Sequence, residues 1–533
     1  MPLITAALVA TLALPLAPAD PDPALPRFMT PAEAAFVAEH PIVAEGLRGA
    51  TGPQGPVVCP PEYGPMEGIL MAYEGSAGWL TILRTMAAHI TTGGNANVYM
   101  ICDTQSEANF ARTAMINDGA DPDRVFTFVR TTDTIWIRDY GPRYIYEGGV
   151  RAIVDHTYNR PRPNDNLLPT FWAQVRGETR YQIPLIHGGG NYHLSGVGDA
   201  YATRLIANEN PGLNDAQIIG LWRDYQNLET ALVTPFPSNV DATQHIDMWM
   251  QVIGDRAVVI GDYPLAPGSA HDQAADAQAA AMQAAGYTVT RVNNVGNPGQ
   301  THYTFTNVVM CNDIVLLPRY NNISATYSQQ ALAAWQSALP DKQIIQVTCD
   351  AIVTAAGVMH CIVMHVPANS GGENPVVWIA SPNITDLYQP GQQVAITWRT
   401  DDDLGDIDAL DLLFSPDGGS SFIPQITGLP DTGSTLWTVP GIATTQGVLR
   451  LVVRDGDGNT GFDDTDEPFA IASPACNPAD LAPPFGVLDL ADVQTFLAAF
   501  VANDPAADLA PPFGVYDLAD VQLFVASFTA GCP

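Results

Sequence analysis

The chemistry available to this chain rests on a few residues scattered over more than two hundred positions. Cys361 stands in GVMHCIVMHVP, Gly357–Pro367, after a histidine and at the start of an apolar run that reads as a buried strand. A single buried thiol is ordinarily a small hydrophobe. The rest of the chain gives it a second reading: WIRDYGP (Trp136–Pro142), HGGGN (His187–Asn191) and QHID (Gln244–Asp247). A thiolate is a nucleophile, an imidazole moves protons near neutral pH, and two carboxylates hold a cation. Cys361, His245, Asp139 and Asp247 are the parts needed to attack a carbon at the centre of a flat cation, a guanidinium.

Each motif also has a plainer reading. Asp139 can pair with its neighbour Arg138 in a turn. Trp136, at what reads as a strand end, offers a ring for a cation or an alkyl stem. His245 and Asp247, two residues apart on an expected strand, share one face, where they satisfy each other or meet one ligand. The glycines of HGGGN permit close backbone approach, with Asn191 placed to orient what arrives.

These residues need a scaffold. From about Pro60 to Pro367 short apolar runs (NVYMIC, RVFTFVR, YQIPLI, AVVIG, YTVTRV, IVLLP, QIIQVT) alternate with helical stretches over Gln105–Asn117, 270–285 and 328–338. That pattern is an α/β domain, assigned here to residues 60–368. Spacing alone does not separate one parallel sheet from a ring of small αβ units. Residues 375–472 carry β runs (VVWIA, QVAITW, LDLLFS, LWTVP, VLRLVV) between Gly, Pro and Asp turns, the pattern of an all-β sandwich of immunoglobulin-like type. Residues 476–533 are an internal repeat with a period of 28: ADLAPPFGVLDLADVQTFLAAF from Ala479 and ADLAPPFGVYDLADVQLFVASF from Ala507. Each copy has an Asp-rich loop feeding a helix. Apolar stripes (Val493, Phe496, Leu497, Phe500; Val521, Phe524, Val525, Phe528) are expected to pack the helices together.

A net charge of −34 argues against nucleic acid or an anionic membrane as partner and is compatible with a cationic substrate. Residues 1–19 read as a secretory signal ending at Ala17-Pro18-Ala19, although the usual basic start is missing. The run is short for a spanning helix, and no other stretch is long and apolar enough to cross a bilayer. A secreted or cell-surface protein with no transmembrane segment in its mature form is expected. Residues 20–59 read as a lead-in or pro-segment with one helix over 30–40, capped by Thr30 with Pro31 and Glu33 behind it. Of seven cysteines, Cys476 and Cys532 bracket the repeat and suit a disulfide. Pairing among Cys59, Cys102, Cys311 and Cys349 would leave Cys361 alone.

Taken in order, WIRDYGP, HGGGN, HID and MHCI resemble the guanidino-group-modifying (pentein) superfamily, and more narrowly the branch of bacterial (Porphyromonas-type) peptidylarginine deiminases and agmatine deiminases. The resemblance covers most of 60–367. It implies a five-bladed α/β-propeller with the site on its axis, catalysis by Cys361, His245, Asp139 and Asp247 with no cofactor, and an orienting asparagine matched to Asn307. YNRPRPND (Tyr158–Asp165) is similar to the stretch with which secreted members hold the α-carboxylate of a C-terminal arginine. It assigns Arg160 and Arg162 to a carboxylate clamp; the plainer reading is a surface loop paired with nearby acids.

The repeat resembles the dockerin-type duplicated calcium loop. That implies structural calcium held by Asp480, Asp489, Asp492, Asp508, Asp517 and Asp520, and attachment to a cell surface or a complex. Ala and Pro stand at intervening ligand places, and the loop is one residue too long. The expectation is thus a secreted deiminase acting on arginine-containing peptides or proteins. The competing readings are an agmatine or free-arginine deiminase, a Cys–His amide hydrolase, and a non-catalytic binding protein.

Overall fold

The computed structural model describes residues 24–46, 51–383, 386–403, 407–472, 475–483 and 485–532. The expected signal segment lies outside them. The chain divides into two compact units, one ending at Ala368 and one beginning, apart from residues 148–150, at Asn369.

In the first unit one pattern recurs five times. A strand crosses over through a helix to a parallel partner on one side and pairs antiparallel with a further strand on the other. Ala257–Asp262 passes through the helix Ala270–Ala284 to Thr288–Asn293, with Met250–Gly254 antiparallel beside it. Ile314–Arg319 passes through Ala325–Ala338 to Gln343–Thr348, with Val309–Cys311 on its other edge. Asp199–Thr203 runs through Asp215–Gln226 to Glu229–Val233, with His193–Leu194 alongside. Val150–Tyr158 runs through Leu168–Arg176 to Thr179–His187, next to Arg143–Glu147. The fifth copy joins the two ends of the domain: Met66–Ala72 leads through Ala77–Thr92 to Asn97–Cys102, and its antiparallel edge is Met364–Pro367 from the far end of the sequence.

The result is five separate small sheets rather than one continuous sheet. Three of them share a buried cluster that includes Leu70, Ile101, Trp249, Ile260, Leu316, Trp335 and Val363, and the sheets of Val150–Tyr158 and Asp199–Thr203 pack mainly in a second one with Ile145, Val154, Leu185, Ala200 and Trp222. The helix Ala77–Thr92, which the alternation of apolar runs did not reveal, buries Trp79, Leu83, Met86 and Ile90 on one stripe.

The lead-in is not a separate appendage. Pro31–Glu39 is a helix with a capping box: Thr30 accepts the Glu33 N–H, and Glu33 accepts the Thr30 N–H. The segment before it enters the catalytic unit, as described below.

In the second unit a three-stranded sheet (Val376–Ser381, Gln393–Asp401, Ser434–Thr438) and a six-stranded sheet built on Ile407–Ser415 and Thr444–Asp455 enclose one core, with Trp398, Trp437, Phe414, Leu451 and Phe469 inside. The repeat folds as two helices, Leu490–Ala502 and Leu518–Ala530, with Phe496 stacked on Phe524 at 4.1 Å. The expected stripe is narrower than its sequence suggests: Leu497 and Val525 lie about half exposed on the outer side. Cys476 and Cys532 are joined in a disulfide. Cys59, Cys102, Cys311 and Cys349 are all free and buried, so pairing does not single out Cys361.

Candidate active site

The catalytic candidates sit in loops at equivalent places. Asp139, Asn191, Asp247, Asn307 and Cys361 each lie two to four residues ahead of the antiparallel edge strand of one of the five sheets. They follow one another at spacings of 52, 56, 60 and 54 residues, so each sheet delivers one of them.

Three of these loops are tight helical turns where strands or their ends were expected; Cys361 lies in the turn His360–Ile362, and its strand begins only at Met364. Asp139 lies in the single turn Ile137–Tyr140, and His245 and Asp247 flank Ile246 at the turn Ile246–Met248, not on a strand. Gln244, at φ +58°, redirects the chain just ahead of His245. His245 and Asp247 still aim at one point, by way of the turn rather than a strand face. Arg138 does not pair with Asp139. Its guanidinium points the other way, to Glu62 at 2.6 Å, the His360 carbonyl and His365.

At the centre of these groups is a guanidinium supplied by the chain itself. Arg27 is fully buried. Its Nε and Nη2 donate to the two carboxylate oxygens of Asp139 at 2.8 and 2.7 Å. Its Nη1 and Nη2 donate to those of Asp247 at 3.0 and 2.9 Å. Nη1 also lies 2.6 Å from Cys361 Sγ, and Nη2 lies 2.9 Å from His245 Nδ1. Two planar forks thus grip one flat cation, with sulfur and imidazole against it. Gly190 makes this approach possible: a Cβ there would fall 1.8 Å from Arg27 Nη2. Its N–H also donates to Asp139.

The electrostatics follow from burial and these partners. Burial favours the neutral carboxyl at Asp139, but Arg27 and His245 outweigh it and hold the group well below the usual carboxylate range. Asp247 is likewise lowered, by Arg27 and by His360, whose Nδ1 is 2.9 Å from Oδ2. Burial also works against the charge of Arg27, and Asp139, Asp247 and Cys361 reverse it, so the cation persists. Burial pushes the Cys361 thiol well up; Arg27 opposes that shift, while Asp247 and Asp139 add to it.

Several groups touch the machinery and not the cation. Asn307 Nδ2 donates to the Asp247 carbonyl, and its Oδ1 accepts the His360 N–H and lies 3.3 Å from Sγ, so it ties two site loops together. Asn191 accepts the Thr203 and Ile246 N–H groups and fixes the loop that carries Asp247. Trp136 does not offer its ring face to the guanidinium; its indole N–H holds the Leu25 carbonyl at 2.8 Å. His360 bridges Asp247 and Glu62. Motif reading passed over His360 and Glu62, although His360 adjoins the nucleophile. Nothing in the local sequence marks Arg27.

Arg160 and Arg162 lie at the backbone end of the cation. Arg160 Nε is 3.3 Å from the Arg27 carbonyl oxygen. Arg162 is buried, holds the Glu33 carboxylate through Nε and Nη2, and donates to the Pro26 carbonyl at 2.8 Å. Arg160 remains partly exposed.

The residues named for calcium are engaged mostly with backbone N–H groups. Asp489 and Asp517 are helix N-caps, each accepting an N–H two residues on. Asp492 and Asp520 each accept three loop N–H groups. One oxygen of Asp480 and one of Asp508 are buried without a partner among the described residues. The Asp492 and Asp520 carboxylates fasten the loops to the helices.

A profile of the Porphyromonas-type peptidyl-arginine deiminase family matches residues 58–367, more than half of the chain. The chain belongs to this family. It is accordingly a hydrolase of guanidino C–N bonds. The enzyme is 23% identical over 321 residues to an agmatine deiminase of Ectopseudomonas mendocina, which covers 51% of this chain and 83% of the relative. Two solved structures share its fold. An agmatine deiminase of Enterococcus faecalis matches with a TM-score of 0.53 and 20% identity over 60% of this chain and 98% of its own. One of C. jejuni matches with a TM-score of 0.51 and 18% identity over 59% and 97%.

Proposed function

We propose that the enzyme is a secreted peptidylarginine deiminase that converts a peptide's C-terminal arginine to citrulline, and that its five sheets are the blades of a propeller with the site on the axis. The reading is carried by the guanidinium gripped by Asp139 and Asp247 against Cys361 and His245, with Arg160 at the carbonyl of the same residue. A C-terminal arginine would present its α-carboxylate there, and agmatine has no carboxylate to offer.

Asp139 and Asp247 fix the plane of the cation; positioning of this kind is worth up to about 7–11 kcal/mol in ideal cases. Cys361 passes its proton to His245 and its sulfur bonds to the guanidinium carbon. The C–N bond to the nitrogen beside His245 breaks as His245 protonates it, and ammonia leaves a thiouronium on Cys361. His245 then takes a proton from water; the oxygen bonds to the same carbon, the C–S bond breaks, and citrulline departs. The net change is guanidinium plus water to urea group plus ammonium. Residues 375–472 are read as immunoglobulin-like. The repeat is read as an attachment module, supported by the apolar side chains of Val501, Phe513 and Leu518 that it leaves in solvent.

The test is a colorimetric citrulline assay on the full chain and on Arg27→Ala. It compares a peptide ending in arginine, the same peptide with arginine internal, agmatine and free arginine. The C-terminal arginine peptide is expected to lead, and Arg160→Ala should reduce that lead. Preference for agmatine would refute the substrate reading, and no product from any of the four would remove the enzymatic one.

A further inference from the structure

We infer that residues 24–40 are an intramolecular inhibitor of the catalytic site, with Arg27 as its inserted ligand and Glu33 as its anchor. The inference rests on the guanidinium reading of the slot given above. It goes beyond that reading by assigning a task to a segment with no part in catalysis.

Three observations carry it. First, Arg27 occupies both carboxylates, the sulfur and one imidazole nitrogen of the slot, and Arg27, Cys361, His245 and Asp247 all have no exposed surface. While Arg27 is in place, neither an external guanidinium nor water reaches the sulfur.

Second, the backbone on both sides of Arg27 is tied down. The Arg27 N–H donates to the Ala355 carbonyl at 3.0 Å, Trp136 holds the Leu25 carbonyl, Arg162 holds the Pro26 carbonyl and Arg160 approaches the Arg27 carbonyl.

Third, the segment fills the carboxylate clamp as well as the slot. Arg162 holds Glu33 through two nitrogens at 2.8 and 3.3 Å. The Glu33 side chain is only 12% exposed, which favours its neutral form, yet Arg162 lowers its pKa overall. The Thr30–Glu33 capping box presents this carboxylate in the first helical turn, six residues after Arg27. One segment thereby supplies both charges of an arginine with a free carboxylate, divided between two residues. A tethered ligand competes at an effective concentration on the order of millimolar. External substrate then meets only the fraction of molecules whose slot is open, and its apparent affinity falls by that fraction.

The test uses a haloacetamidine, a cationic electrophile that fits a guanidinium slot and alkylates its thiol, with the modified cysteine mapped by peptide mass. In the full chain Cys361 should react slowly. In Arg27→Ala it should react at least about tenfold faster, with a matching fall in KM for the arginine peptide. Cys59, Cys102, Cys311 and Cys349 are buried elsewhere and report unfolding: labelling confined to Cys361 means local opening. Glu33→Gln leaves the slot intact and should move both readouts the same way by a smaller factor, which covers a failure of Arg27→Ala to fold.

Equal rates and equal KM in the full chain and both variants would overturn the inhibitor. So would recovery of residue 27 as citrulline from the purified full chain, because the segment would then be a substrate. Faster labelling in the variants with no citrulline from any substrate would leave the inhibitor standing and reject the proposed function. Citrulline formation with no change in labelling or KM would do the reverse.

Discussion

Two regions of this molecule gather aspartates, and they neutralise them by different means. In the catalytic unit Asp139 and Asp247 face a guanidinium and an imidazole. In the C-terminal repeat Asp492 and Asp520 face backbone N–H groups. A buried carboxylate needs a counter-charge or several donors. N–H groups from its own loop make it a structural clasp. A removable cation makes it a binding site. Both regions are acidic in sequence, and the difference lies in which partner the fold brings.

The strongest way to sharpen this contrast is to remove the nucleophile. Cys361→Ala should lose on the order of 10⁴-fold or more in citrulline formation and keep its affinity for an arginine peptide, measured by calorimetry in an Arg27→Ala background. Retained turnover would mean that Cys361 is not the nucleophile.

Asp247→Asn breaks a buried ion pair, at a cost of about 3–5 kcal/mol. Steady-state kinetics should show kcat/KM down by about two to four orders of magnitude. A loss under tenfold would mean that Asp139 alone holds the cation.

Gly190→Ala puts a methyl group where a guanidinium nitrogen lies, and overpacking of this kind costs about 1–3 kcal/mol. In an Arg27→Ala background KM for arginine peptides should rise about ten- to a hundredfold. An unaltered KM would place the cation elsewhere.

The smallest effects belong to the repeat. Asp489→Ala should cost about 1 kcal/mol of helix stability and leave turnover untouched, as thermal unfolding and the citrulline assay would show. The acid dependence of the repeat follows from Asp520, whose pKa is lowered by the N–H groups of Asp517, Ala510 and Leu509. A lowered carboxylate contributes its full stabilisation above the ordinary carboxylate range, and that contribution fades as pH falls through the lowered value. Helicity of the repeat should therefore hold through the ordinary range and decline only below it. A decline that begins near neutrality would refute the N–H clasp.

Much of the enzyme was legible before folding was considered. The strands NVYMIC and IVLLP, the Gln105–Asn117 helix and the Thr30 capping box follow from periodicity and end chemistry, which are local. Ala77–Thr92 escaped because its many Ala, Thr and Gly positions blur the apolar stripe. The fivefold recurrence also escaped. The sheets share a topology and a place for one site residue each, but not a sequence, since each packs different neighbours. In the site, Cys361, His245, Asp139 and Asp247 were readable as residue types that do chemistry. Trp136 and Asn191 were readable as special, but their partners were not, because a side chain's direction depends on the turn that carries it.

By itself the sequence determined the elements, the duplicated C-terminal module and the set of groups able to act on a guanidinium, because those depend on neighbours a few positions apart. Only the tertiary structure decided that five loops converge, that Arg138 turns away while Asp139 turns in, and that Arg27 fills the slot from 334 residues upstream of the sulfur. Contacts at that separation leave no periodic trace in the chain. They arise when a closed set of packed sheets fixes where each loop must end.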